Sequence, residues 1–295
     1  MGPGTPNLVI TADNAAVLPV LPDDSFAMIY VDPPFNTGRK QFRQTIRTVR
    51  SASGGRVGFS GRTYETIKGV VTGYDDQFAD YWAFLEPRLE QAWRLLAPTG
   101  TLYLHLDYRE VHYAKVLLDA LFGRACFLNE IIWAYDFGAR TKAKWPAKHD
   151  NILVYVKDPD RYYFDSSAVD REPYMAPGLV TPEKAQRGKL PTDVWWHTIV
   201  SPTGREKTGY ATQKPEGIVR RMVLASSRPD DWVLDFFAGS GTLGKVAADL
   251  GRRFVLVDEN PVAVDVMRTR LGADDRSVRF VDGASGLQSA LRGAG

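Results

Sequence analysis

With one cysteine, Cys126, the chain can form no intramolecular disulfide, so its fold cannot rest on oxidised cross-links. Histidine is scarce as well: His105, His112, His149 and His197 show no metal-ligand spacing, and no metal is expected in the chemistry. Long apolar runs are missing, and Met1-Gly2-Pro3-Gly4 lacks the basic and apolar regions of a signal peptide, which predicts a cytoplasmic protein with no membrane partner. A strong net charge is absent too, since 37 basic residues against 35 acidic ones leave only +2. That balance excludes little by itself, because a basic surface can be offset by acids elsewhere. What the chain does have is 295 residues, 44% of them hydrophobic, enough for one large domain or one domain carrying an insertion.

The run Ile29-Tyr30-Val31 reads as a strand and stops at Asp32-Pro33-Pro34-Phe35. Proline fixes φ, lacks an N–H and pushes the preceding residue toward extended geometry, so Asp32 is expected at a strand end, facing a cleft. A carboxylate, outward carbonyls and an aromatic ring within four residues suit a planar group bearing an NH2, with two acceptors for its hydrogens and a ring for its face. Taken alone, the run is equally well explained by a buried strand ending in a proline turn.

Around it the pattern is α/β. Strands are predicted at 7–11, 26–31, 101–106, 126–133, 151–156, 232–236, 254–258 and 277–281, and helices at 77–96, 108–122, 215–226, 242–250 and 261–271. Alternation of this kind implies a doubly wound, mostly parallel Rossmann-like sheet covered on both faces. The strands at 126–133 and 151–156 have no helix between them, so they are expected to pair antiparallel through a basic connection carrying Arg140, Lys142, Lys144 and Lys148. Two stretches interrupt the rhythm. Residues about 36–76 are expected to form a polar, mobile arm with Arg39, Lys40, Arg43, Arg47, Arg50, Arg56 and Arg62 and no acid before Glu65, as a phosphate-binding element would have. Residues 157–210 are irregular, aromatic and rich in proline and glycine, and read as an inserted region between the halves 1–156 and 211–295.

A second motif, Asp235-Phe236-Phe237-Ala238-Gly239-Ser240-Gly241-Thr242, ends a strand and opens a helix. Gly239, Gly241 and Gly244 match a nucleotide-binding spacing that is weak evidence alone, and Asp258 ends the next strand where an acid could take two ribose hydroxyls. A nicotinamide dehydrogenase would explain this half but leave Asp32-Pro33-Pro34-Phe35 without a role.

Together, and in this order, DPPFNTG at 32–38, TQKPEGIVRRMV at 212–223 and DFFAGSGT at 235–242 resemble the S-adenosylmethionine-dependent DNA amino-methyltransferases of the circularly permuted β group. The stretch between the first two is similar to restriction-modification methyltransferases. Phe35 stands where tyrosine is more usual, and Tyr210-Ala211 where His-Pro is common. The resemblance implies that Asp32, Pro33, Pro34 and Phe35 form the target-base site, and that Phe236, Ala238, Gly239, Ser240, Gly241 and Thr242 surround the methionine part of the cofactor. It implies further that Asp258 holds the ribose, Thr212 and Lys214 the cofactor carboxylate, Asp235 the ammonium and Asp13 the adenine amine, with Asp282 the alternative to Asp13. The expected products are S-adenosylhomocysteine and a methylated exocyclic amine on a base flipped out of double-stranded DNA, N6 of adenine before N4 of cytosine. A homodimer and a cognate restriction endonuclease are partners compatible with the resemblance. A methyltransferase acting on RNA or on protein glutamine, and a catalytically silent DNA-binding partner retaining the fold, are the other readings.

Overall fold

The computed structural model describes residues 1–2, 4–36, 80–138, 140–201, 203–272 and 277–292 in full, and the backbone alone of 41–50, 56–57 and 63–74. The elements in order are β1 (Asn7–Thr11), α1 (Asn14–Val17), β2 (Phe26–Val31), β3 (Gln41–Arg50), β4 (Arg56–Val57), β5 (Thr63–Tyr74), α2 (Tyr81–Leu95), β6 (Leu96–Leu106), α3 (Val111–Phe122) and β7 (Phe127–Ala134). They continue with β8 (His149–Val156), α4 (Pro182–Arg187), β9 (Val194–Trp196), α5 (Glu216–Ser226), β10 (Trp232–Asp235), α6 (Thr242–Asp249), β11 (Arg253–Asp258), α7 (Pro261–Leu271), β12 (Val278–Asp282) and α8 (Gly283–Arg292).

Among the described residues one sheet runs β12-β1-β11-β10-β2-β6-β8-β7-β9. Only β8 opposes the others, pairing antiparallel with β6 and with β7. This is the mostly parallel sheet expected from the alternation. Its inner strands are apolar almost throughout because helices cover both faces: in β2 all residues but Ala27 are buried. On α5, Ile218, Val219, Met222 and Val223 recur at helical spacing and join Met28, Val233 and Leu256 of the sheet in one core with Leu243 of α6 and Met267 of α7. Each such side chain, fully buried, contributes about 1.5–3 kcal/mol.

The chain order of the two motifs is undone by the topology. Strands β10 and β2 are parallel neighbours, with Asp235 opposite Tyr30, so the glycine loop and the proline motif leave the same edge of the sheet side by side. On the far side of β11, Thr11 pairs with Asp258, which puts the end of β1 next to that acid, with β12 one strand further out. In open α/β sheets this carboxyl edge is where ligands bind.

Several boundaries differ from the sequence reading. The strand predicted from residue 101 begins at Leu96, with a register shift against β2 between Phe26 and Met28. The helix predicted from 108 begins at Val111, because Asp107 folds back to accept the Arg109 N–H in a turn. Strand β9 and helix α8 were not foreseen, the first for its shortness, the second for its small residues. Residues 157–210 supply β9, whose Trp195 pairs with Trp133 of β7, and both indoles are buried.

The chain divides into two compact units, Met1–Phe35 with Trp82–Gly295, and Asn36–Tyr81. The second holds a small antiparallel sheet, β3-β5-β4. Over its described residues the basic arm has strands that the sequence reading did not foresee; runs such as Thr45-Ile46 and Val70-Val71-Thr72 favour extended backbone. Arg43, Arg47 and Arg50 lie on β3 and Arg56 on β4, whereas Arg39, Lys40 and Arg62 lie outside the described residues. No helix among the described residues is long and apolar enough to cross a membrane.

Candidate active site

Asp32 follows the last residue of β2, and Pro33-Pro34 end any further pairing there. Its carboxylate is gripped by Lys214, with Nζ at 2.7 Å from Oδ1 and 2.5 Å from Oδ2. Both side chains are mostly covered, 15% and 12% exposed. Lys214 is fixed at its other end: Pro215 starts α5 directly after it, and its carbonyl accepts the Thr242 hydroxyl at 3.1 Å. The ammonium also lies 4.9 Å from the centre of the Phe35 ring. Lys214, expected at a cofactor carboxylate, thus bridges the glycine-loop helix to the proline motif, and Thr212 is exposed.

Beneath Phe35 lies a chain of buried polar groups that the sequence reading missed. The Tyr30 hydroxyl is 2.7 Å from His105 Nδ1, His105 Nε2 is 3.3 Å from Asp150, and the Tyr135 hydroxyl donates to the other Asp150 oxygen at 3.0 Å. Burial, reinforced by Asp32, Asp235 and Asp150, pushes the Tyr30 hydroxyl well up. Burial alone would raise the Asp150 carboxyl, yet the bonds from His105 and Tyr135 and the charge of Lys214 hold it below the ordinary range. The His105 ring packs against Phe35 at 5.9 Å and against Trp133 at 5.6 Å, so it backs the Phe35 ring. A signal was present: His105 interrupts the run Leu102-Tyr103-Leu104 before Leu106.

The glycine loop is held by its neighbours. Gly239 and Gly241 have φ of +49° and +70°, and a Cβ on Gly239 would come within 3.2 Å of the Tyr210 ring. Asp258 accepts the Gly239 N–H at 2.8 Å and the Asn260 N–H at 2.9 Å, and Asp235 accepts the Phe237 N–H at 3.0 Å. The Phe236 carbonyl accepts from Asn14 at 2.7 Å, and Arg88 ties Asn14 to Asp13. Arg270, nearly buried, donates to the Ser240 carbonyl, to Thr242 and to Glu216. Asn14, Arg88, Arg270 and Tyr210 are supports that no motif announced. Phe236, Ser240 and Ala238 are buried, so the loop offers its surroundings backbone more than side chains.

A family model for N6/N4 methyltransferases, described as DNA methylase, matches residues 26–268. The chain belongs to this DNA methylase family. Among its relatives, the type II methyltransferase M.HpaI of Haemophilus parainfluenzae is 28% identical, over 93% of this chain and 77% of its own length. The DNA adenine methyltransferase YhdJ of Escherichia coli is 28% identical, over 89% and 82% respectively. Among solved structures, M1.HpyAVI in complex with S-adenosylmethionine shares the fold at a TM-score of 0.57 and 18% identity, covering 90% of this chain and 98% of that one.

The methyl donor of this family, S-adenosylmethionine, carries a sulfonium and an ammonium, and the edge of the methyltransferase sheet suits it. Burial raises Asp235 well above the usual carboxylate range, helped by Asp32 and Asp258, and burial raises Asp258 as well. Three carboxyls thus converge where Lys214 is the nearby cation, and an incoming positive charge would relieve the crowding. The positive-φ glycines leave room that a Cβ would fill. Asp13 lies next to this edge because β1 neighbours β11, but its carboxylate caps α1 at the Ala15 N–H and is more than half exposed.

Proposed function

We propose that this DNA methyltransferase transfers a methyl group to N6 of adenine in double-stranded DNA, with the base turned out of the stack into the pocket formed by Asp32, Pro33, Pro34 and Phe35. The observation that carries this reading is the adjacency of Asp32 to the glycine loop through the paired ends of β2 and β10. S-adenosylmethionine supplies an electrophilic methyl for in-line displacement. The chain's own task is to make a poor nucleophile attack it. An exocyclic amine has its lone pair delocalised into the ring, and accepting its two N–H bonds at Asp32 and at the Pro33 carbonyl localises that pair toward the methyl. Lys214 need not leave, since each carboxylate oxygen has a second lone pair for the amine. Phe35, backed by His105, stacks on the base for about 1–3 kcal/mol, roughly the few kcal/mol that flipping costs. Further affinity comes from phosphate contacts by Arg39, Lys40, Arg43, Arg47, Arg50, Arg56 and Arg62, and sequence choice from residues 157–210.

In the cofactor half, Asp258 takes the ribose hydroxyls, Asp235 the ammonium and Asp13 the adenine amine, with the glycine loop against the methionine chain. Thr212 and Lys214 serve its carboxylate. Adenine is favoured by the name of the relative YhdJ. N4 of cytosine is the second reading, because the matching family covers both amines. The type II designation of M.HpaI supports a cognate endonuclease as partner, and the reading places both in the cytoplasm beside the DNA. A homodimer is a separate expectation, checked by sedimentation. Nucleoside mass spectrometry and modified-base sequencing of DNA from a methylation-deficient host expressing the protein test the main reading. N6-methyladenine at one recurring sequence is expected; N4-methylcytosine alone would transfer the conclusion to the second reading.

A further inference from the structure

The connection between β7 and β8 leaves the same edge of the sheet as Asp32: Leu106 at the end of β6 pairs with Asn151, and Ala134 pairs with His149. Its stem is built. The Tyr135 N–H donates to the Lys148 carbonyl at 3.0 Å, Lys148 pairs with Asp136, and the Tyr135 hydroxyl joins Asp150 and hence His105 behind Phe35. The tip is bare by contrast. Trp145 is 94% exposed and Phe137 60%, an unusual state for such large apolar rings. Between 136 and 148, Arg140, Lys142, Lys144 and Lys148 face the single acid Asp136. The Lys144 ammonium lies 6.0 Å and the Arg109 guanidinium 5.5 Å from the centre of the Tyr108 ring, which follows β6 at this edge.

Aromatic rings interleaved with cations are the makeup of surfaces that stack on bases while tracking phosphates. A membrane or an acidic protein would use the charge, but continuity with the Phe35 pocket through Tyr135, Asp150 and His105 favours nucleic acid. We propose that this rim is a second DNA-contacting element, separate from the arm at 39–62, and that the Trp145 ring stacks in the base step opened when the target nucleotide turns out. The proposal rests on the methyltransferase reading. Flipping leaves a gap in the stack, and an apolar wedge carried on a cationic segment is a recurrent way to fill one. The tie from Tyr135 through Asp150 to His105 behind Phe35 roots the wedge in the same frame as the base it displaces.

The test compares wild type, Trp145→Ala and Trp145→Phe on two short duplexes holding the mapped methylation site, one with the target base paired and one with it opposite an abasic position. Single-turnover methyl transfer and DNA affinity are read together, with S-adenosylmethionine affinity as the control for folding. Trp145→Ala is expected to lose about 10- to 100-fold in transfer on the paired duplex, to recover most of it on the pre-opened duplex, and to bind cofactor as wild type does. Trp145→Phe should retain most of the activity. Replacing Lys142 and Lys144 by Gln should flatten the log–log salt dependence of DNA binding by about 2 units. Trp145→Ala behaving as wild type on the paired duplex would overturn the proposal and assign the rim to a protein partner. An equal loss on both duplexes would overturn the wedge as well. A wild type that neither binds DNA nor methylates it would instead refute the methyltransferase reading beneath it.

Discussion

Removing Lys214 should cost stability in a way that removing Asp32 at the same time repairs. The ammonium sits 2.5 and 2.7 Å from the two Asp32 oxygens, with both side chains more than four-fifths covered. Breaking a fully buried pair costs about 3–5 kcal/mol because the remaining charge is stranded, whereas exposed pairs are worth about 0–1. At this partial exposure Lys214→Met should cost about 2–3 kcal/mol, including about 0.5–1 for the contact with Phe35. Asp32→Asn leaves the ammonium close to Asp150 and Asp235 and should cost less, about 1 kcal/mol. In the double variant no charge is stranded, and the cycle should close with a coupling of about 2 kcal/mol. Urea unfolding of the four proteins, without cofactor, gives the numbers. Additive single effects within about 0.5 kcal/mol would show that the pair is not a unit.

Asp235 predicts a pH dependence. Its folded pKa is raised, so its contribution is full below the unfolded pKa and is lost as pH rises through the folded value. Asp235→Asn, which keeps an acceptor for the Phe237 N–H, should match wild type in unfolding free energy near pH 4 and exceed it by about 0.5–2 kcal/mol at pH 8, while weakening cofactor binding; equal stability across the range would refute the burial argument. Gly239→Val places a Cβ at φ +49° against Tyr210 and should weaken S-adenosylmethionine binding at least about tenfold in calorimetry, with DNA binding less affected. Neutralising Arg43, Arg47 and Arg50 together should flatten the salt slope of DNA binding by about 3 units for every sequence alike, and an unchanged slope would reduce the arm to a solvated surface.

Legibility in the sequence followed the reach of local rules. Asp32-Pro33-Pro34 and the positive-φ glycines Gly239 and Gly241 carry backbone constraints that any single sequence displays, so both ends of the site could be read directly. That β10 lies beside β2 could not be obtained from spacing and formed no part of the sequence reading; the register of Asp235 with Tyr30 shows it. Strand β8 was legible as antiparallel because no crossover helix separates it from β7. The supports were not legible. Arg88 reaches Asn14 and Asp13 across more than seventy residues, and Arg270 reaches Ser240, Thr242 and Glu216 from a different helix, contacts that carry no local pattern. Lys214 shows the limit on roles: its ion pair with Asp32 was not foreseen, because a lysine side chain is long enough to reach either neighbour.

The central claim is that Asp32 acts on the target amine and not on the cofactor. It is tested most directly by transfer of isotopically labelled methyl from S-adenosylmethionine to duplex DNA by purified wild type and Asp32→Ala, with cofactor affinity measured on the same preparations. The account predicts a loss of transfer of at least about 10²–10³-fold, with cofactor affinity changed only a few-fold. Transfer by Asp32→Ala at near wild-type rate would contradict it, as would a loss that cofactor affinity alone explains.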